Sequence, residues 1–116
     1  MAVTLGQVAQ QMAIPASTTL YTQAVSMQGA NAVQVSFVIL TLGGSSGLTP
    51  TVEGSNDLEN WSNAAVCSAI ASAGYQIPVI SSGAFTAIAW QYVRLKLAAG
   101  SGGTIITSAI ISTAAL

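Results

Sequence analysis

From Tyr92 to Leu97 the chain alternates without a break: Val93, Leu95 and Leu97 fall on one side, and Tyr92, Arg94 and Lys96 on the other. Alternation with period two predicts a β-strand with one buried and one wetter face. Residues 33–40 repeat the pattern, with Val33, Val35, Phe37 and Ile39 opposite Gln34, Ser36, Val38 and Leu40. The second half of that run is apolar on both sides, so both sides are expected to be covered. GGSSG at 43–47 ends the run, and LTPTVEG opens another strand in which Pro50 suits a beginning or an edge.

Further strands are expected over 20–27, 62–70, 75–80, 84–90 and 104–113. The last has no clean polar face and is expected either centrally in a sheet or at a subunit contact. AAGSGG at 98–103 reads as a hairpin loop. About seven or eight short strands, with turn signals every 8–12 residues or so, predict an all-β fold, a single β-sandwich or jelly roll. Residues 4–14 admit two readings. Thr4 and Gln7 have capping-box spacing, and Leu5, Val8, Ala9 and Met12 share a helical face before Pro15; an extended arm is the other. The expected organisation is an N-terminal arm or short helix over 1–15 and one β-sandwich domain over 16–116.

Composition changes what such a sandwich can do. Hydrophobic residues make up 52% of the 116 positions and charged residues 4%, where ordinary soluble domains carry about 25% charged residues. A net charge of −1 offers little repulsion between copies. No run of about 18 apolar residues is present, so no membrane span is expected. The physical expectation is a domain whose outer surface is largely covered by other protein. MAVTLGQVAQQ has no basic start, no continuous apolar segment and no small-residue cleavage site, so no export signal is expected. A lone Cys67 cannot form an internal disulfide. Arg94 and Lys96 are the only basic side chains, too few for direct nucleic-acid binding.

Candidate chemistry is sparse. The absence of His removes the commonest general base and metal ligand. Cys67, in AAVCSAIA, has no basic neighbour and reads as a buried structural thiol. The serines lack an activating base, and the glycine runs lack the Lys of a phosphate loop. No catalytic, cofactor-binding or metal-ligating residue is assigned, and enzyme activity is not expected. All three acids, Glu53, Asp57 and Glu59, lie in VEGSNDLENW. Two of these acids with Asn56 and Asn60 could offer oxygens to calcium, but the spacing is not that of an EF-hand. Nor can one short loop build the two walls of a glycosidase carboxylate pair. GSND suits a tight turn that bonds its own backbone, after which Trp61 leads back to the core. A surface turn is the reading these residues favour.

TVEGSNDLENW, followed by YVRLKL and a terminal Thr/Ile/Ala strand, resembles small tailed-bacteriophage virion proteins over about residues 49–113. The resemblance implies a non-enzymatic, multi-copy virion component made in the bacterial host cytoplasm. A capsid decoration or stabilising protein, or another head or tail subunit, would fit. Its implied partners are further copies in a symmetric homo-oligomer and other virion proteins such as the major capsid protein. The signature is architectural and transfers no functional residue. Two other readings stand beside it: an extracellular filament subunit whose end completes a neighbour's sheet, and a carbohydrate-binding module with Trp61, Trp90, Tyr75 or Tyr92 as stacking platforms. Residues 1–15 and 104–116, apolar and uncharged, are the expected intersubunit contacts, and removal of 1–14 is expected to abolish assembly while leaving the β domain folded.

Overall fold

The computed structural model describes residues 3–78, 86–87 and 90–114, and every regular element among them is a strand. In chain order these are β1 (Val3–Ile14), β2 (Thr19–Tyr21), β3 (Val25–Ser26), β4 (Ala32–Thr41), β5 (Leu48–Ser55), β6 (Ser62–Val66), β7 (Gly74–Gln76), β8 (Thr86–Ala87), β9 (Tyr92–Ala99) and β10 (Ile105–Ala114). The first sheet has the order β1-β10-β4-β7, with β8 also on β4; the second has the order β2-β9-β5-β6, with β3 also on β9. One side of β9 is taken by β5, so β2 and β3 share its other side, and β7 and β8 share the free side of β4 in the same way. Each sheet is therefore four lanes wide.

The antiparallel pairings nest. β1 pairs β10, β2 and β3 pair β9, β4 pairs β7 and β8, and β5 pairs β6. A long hairpin rolled across two layers gives this order, with residues 56–61 as its innermost turn. It is a jelly roll.

The alternation in the sequence decides which side of each sheet is dry. Val33, Val35, Phe37 and Ile39 of β4 meet Ile105, Ala109 and Ile111 of β10 and Ile14 of β1 from the first sheet, while Leu48, Val52, Val93, Leu95 and Leu97 close the core from the second. Register aligns the sets: Ile14 lies opposite Ile105, Ala109 opposite Phe37, and Val52 opposite Leu95. Thr107 is fully buried, but its hydroxyl donates to the Val38 carbonyl at 3.2 Å, as a buried polar group requires.

Several expectations need correction. Residues 4–14 form neither a helix nor a free arm: β1 is extended and pairs with β10 from Val3 to Ile14. Propensity lost to burial, because β1 covers one side of β10 and Ile14 is fully buried. The span 20–27 is two strands: Thr22 interrupts it, giving its backbone N–H to the Leu95 carbonyl and accepting the Leu95 N–H on its hydroxyl. Of 62–70, only Ser62–Val66 is strand, with a separate bridge between Leu48 and Ile70. Of 75–80, the strand is Gly74–Gln76; residues 79–80 lie outside the described residues, as do 84–85 and 88–89 of the expected 84–90 strand.

The 98–103 stretch is not a hairpin loop. β9 and β10 belong to different sheets, so the loop carries the chain from one layer to the other, as 42–47 does between β4 and β5. These crossings touch: Gly100 N–H donates to the Gly47 carbonyl at 2.8 Å and Ser46 N–H to the Ser101 carbonyl at 2.9 Å. A Cβ on Gly103 would collide with the Gly43 carbonyl, so no larger residue fits there. The 104–113 expectation holds in one of its two forms, since β10 is central between β1 and β4. Pro50 sits where its own carbonyl takes the Cys67 N–H, just past the end of β6, so its missing donor interrupts no ladder.

Inward and outward side chains should respond differently to truncation. Leu95→Ala, and likewise Phe37→Ala, is expected to lose about 2–5 kcal/mol in urea unfolding, while Leu40→Ala stays within about 0.5 kcal/mol. A Leu40→Ala loss as large as that of Phe37→Ala would mean that Leu40 faces the core.

Candidate functional site

The three acids do not act together. Glu53 belongs to β5, and its Oε1 accepts from Arg94 Nε at 2.8 Å across the β5–β9 pair. Asp57 holds the turn. Its Oδ1 accepts from the Ser55 hydroxyl at 2.9 Å and from the Glu59 and Asn60 backbone N–H groups at 2.9 and 2.8 Å, while Oδ2 accepts from the Asn60 side-chain amide at 2.7 Å. Ser55 Oγ in turn accepts from the Asp57 and Leu58 N–H groups. The Asn60 and Glu59 backbone N–H groups, with the Asn60 and Ser55 side chains, favour the charged form and hold the Asp57 carboxyl well below the ordinary carboxylate range. Glu59 is exposed. The surface turn expected from GSND is what the chain forms, and both Asp57 oxygens face protein donors rather than converging on an ion. Among the described residues no group of three or more His, Cys, Asp or Glu side chains could hold a metal.

Arg94 is the centre of a second cluster on the outer face of the second sheet. Its guanidinium carbon lies 4.5 Å from the Tyr21 ring centroid and 4.2 Å from that of Trp61. Alternation in β9 sends Arg94 outward because Val93 and Leu95 are inward. Tyr21 arrives from β2, and Trp61 arrives because the Asp57 turn ends there. A guanidinium between two rings and a carboxylate is well matched to its planar shape. The guanidinium covers one face of the Trp61 ring and one of the Tyr21 ring with a side chain of the same protein.

The other sequence-selected residues separate. Cys67 is 3% exposed and burial pushes its thiol up to about 11, so it is neutral at ordinary pH and structural. Trp90 is half-buried against the core and Tyr92 is half-buried beside it at the start of β9. Tyr75, 65% exposed, stands apart on edge strand β7. Only Trp90 and Tyr92 of the four aromatics share a site.

The largest asymmetry lies between the two outer faces. All five charged side chains of the chain, Glu53, Arg94, Lys96, Asp57 and Glu59, lie on the second sheet or its 56–61 turn. The first sheet carries none. Its outer face shows Val38, 40% exposed, and Leu40, 53% exposed, with Tyr75 directly opposite Val38 and Ile77 beyond it, 49% exposed. Ser108 and Ile106 of β10 continue the patch beside β4. The expectation that both sides of 33–40 are covered holds on the core side, while the outer side is open in the single chain. Alternation had flagged Val38 and Leu40, but Tyr75 joins them only through the β4–β7 pairing, which no local pattern announces.

No protein-family model and no curated protein matches the chain. Among solved structures, the crystal structure of SPBc2 prophage-derived protein YomS is similar over 96% of this chain and 93% of that one, with a TM-score of 0.47 and 9% sequence identity.

The Asp57 staple gives a pH signature. Its folded carboxyl is depressed, so its contribution is complete above the unfolded value near about 4 and fades as pH falls through the folded one. Asp57→Ala is expected to lower the urea midpoint at pH 7, and the gap to the parent protein should narrow progressively below about pH 4. A gap that stays constant down to about pH 2 would show that the carboxylate is not what holds the turn.

Proposed function

We propose that this chain is a non-enzymatic, multi-copy structural subunit of a bacteriophage particle, a capsid decoration protein or another head or tail component, that works by self-association. The observation that carries this reading is the uncharged outer face of the first sheet, with Val38, Leu40, Tyr75 and Ile77 exposed on a chain whose every charge lies on the other sheet or its turn. The resemblance of TVEGSNDLENW and YVRLKL to small virion proteins supplies the setting.

The partner on this face is a second copy. Like faces meet without charge repulsion, and a two-fold axis makes one patch complement itself. Size permits it: the molecule measures 39 × 28 × 23 Å, so a sheet face spans at most about 1,100 Å², where a standard interface needs about 800 Å² per partner. Val38, Leu40, Tyr75 and Ile77 are about half exposed, so covering them would contribute about 1 kcal/mol each, roughly half of a full burial, before association costs are subtracted. Other virion proteins, the major capsid protein among them, are the remaining partners of this reading.

The terminal segments enter differently from the sequence expectation. Residues of β10 reach the outer face through Ile106 and Ile110, but β1 is a full strand of the sheet, so removing it would strip β10 rather than detach an arm. Register shifts between Gln7 and Met12, with Gln11 at φ 47°, disturb the β1 edge. Bulges at an edge oppose pairing with another chain, which weighs against a filament built by strand addition.

Sedimentation of the parent protein and of the Val38→Lys/Leu40→Lys double variant tests the reading. The parent is expected to form a discrete oligomer, and the variant a monomer that keeps the parent's β-sheet circular dichroism while losing the concentration dependence of the parent's unfolding midpoint. Mass spectrometry of purified particles should find the chain in many copies. A parent protein that stays monomeric at high concentration and is missing from particles would overturn the assignment.

A further inference from the structure

At the end of the sandwich that holds the 56–61 turn, the β3–β4 connection and the start of β9 form an open cavity of about 390 Å³ at the surface. Its wall carries Ser26, Gln28, Asn31, Trp90, Gln91 and Tyr92. None of its lining residues is charged. The Gln28 and Gln91 carboxamides each carry both a donor and an acceptor, and two half-buried aromatic rings supply flat apolar surface. The volume is within the range of small-ligand sites, about 300–1,000 Å³.

The walls are held before any ligand arrives. Gln91 N–H donates to Asn56 Oδ1 at 3.1 Å, and the Gln91 carbonyl accepts from Met27 N–H at 2.8 Å, tying the turn, β9 and the β3–β4 connection together. Gln28 and Gly29 have φ of 49° and 81°, and Ala30 N–H closes back onto the Met27 carbonyl at 2.8 Å. Two successive left-handed residues with that closure make a tight turn that projects Gln28 at the rim. Trp90 lies over Gly54, where a Cβ would collide with the indole. The acidic stretch thus shapes this cavity through Gly54 and Asn56, the neighbours of its charged members.

A ligand suited to this wall is neutral, dense in hydroxyls that both donate and accept, and apolar on its ring faces. We infer that the cavity is a binding site for a neutral saccharide. The site lies apart from the most exposed part of the patch: it opens beside Asn31, just before β4, whereas Val38 and Leu40 lie roughly 20 Å or more along the strand at about 3.3 Å per residue. A subunit assembled through the first sheet would keep the cavity open, and many copies would present it multivalently.

The test uses the full chain on an array of neutral hexose and N-acetylhexosamine oligosaccharides. The best-retained saccharide is then titrated by calorimetry into the parent protein and the Gln91→Ala, Gln28→Ala and Trp61→Ala variants. Gln28 and Gln91 are exposed, so these variants are expected to keep the parent's unfolding midpoint. Saturable binding is expected, weakened about tenfold or more in Gln91→Ala and in Gln28→Ala and changed less than about twofold in Trp61→Ala. Absence of any retained saccharide, an affinity in both glutamine variants equal to the parent's, or loss confined to Trp61→Ala would each overturn the inference. Because saccharide binding and oligomeric state are read by separate measurements on separate variants, failure of one leaves the other standing.

Discussion

Everything in this molecule follows from sealing one alternating face of each sheet against the other. Val33, Val35, Phe37 and Ile39 can be buried only if β4, β10 and β1 keep the register that sends Ile14, Ile105 and Ile111 the same way. A slip of one residue would put the whole apolar set in water. The same register leaves no freedom in what points outward. On the second sheet the outward set includes Glu53, Arg94 and Lys96; on the first it includes Val38, Leu40, Ser108 and Ile110. One face that tolerates water and one that gains by excluding it are thus built into the core's own alternation.

The long strands were legible because their alternation is clean. Tyr92–Leu97 and Val33–Leu40 needed nothing beyond period two, whereas the apolar, hydroxyl-dotted β10, lacking a polar side, was readable only as either central or a subunit contact, and the sheet order places it centrally. What escaped was set by partners distant in sequence. β1 has helical spacing at Leu5, Val8 and Met12, yet pairing with β10 along the sheet decides its conformation. The glycines of 98–103 look like a hairpin from local chemistry, and only the sheet order reveals that they cross layers. Thr22 splits an edge strand with its hydroxyl, an effect invisible without knowing that Leu95 lies opposite. The candidate sites divide along the same line. The Asp57 turn is local and was readable; the grouping of Tyr75 with Val38, and of Trp90 with Gln28 and Gln91, depends on long-range pairing.

The gathering of acids in VEGSNDLENW now has a physical explanation without catalysis. The stretch is the tip of a rolled hairpin, where the chain reverses within a single sheet between β5 and β6. Asp57 satisfies the turn's backbone donors, Glu53 anchors Arg94 between Tyr21 and Trp61, and Gly54 and Asn56 hold Trp90 and Gln91 in place. A turn that organises one end of the sandwich leaves the first sheet's outer face free of charge at the other end of β4, where copies can meet.

Carbene footprinting read residue by residue, on dilute and on assembled protein, addresses that meeting most directly. Labelling of Val38, Leu40 and Tyr75 is expected to fall steeply on assembly while Tyr21 and Leu58, exposed on the charged side, keep theirs. Equal labelling of Val38 and Leu40 in both states, or protection of Tyr21 and Leu58 instead, would contradict the covering of the uncharged face.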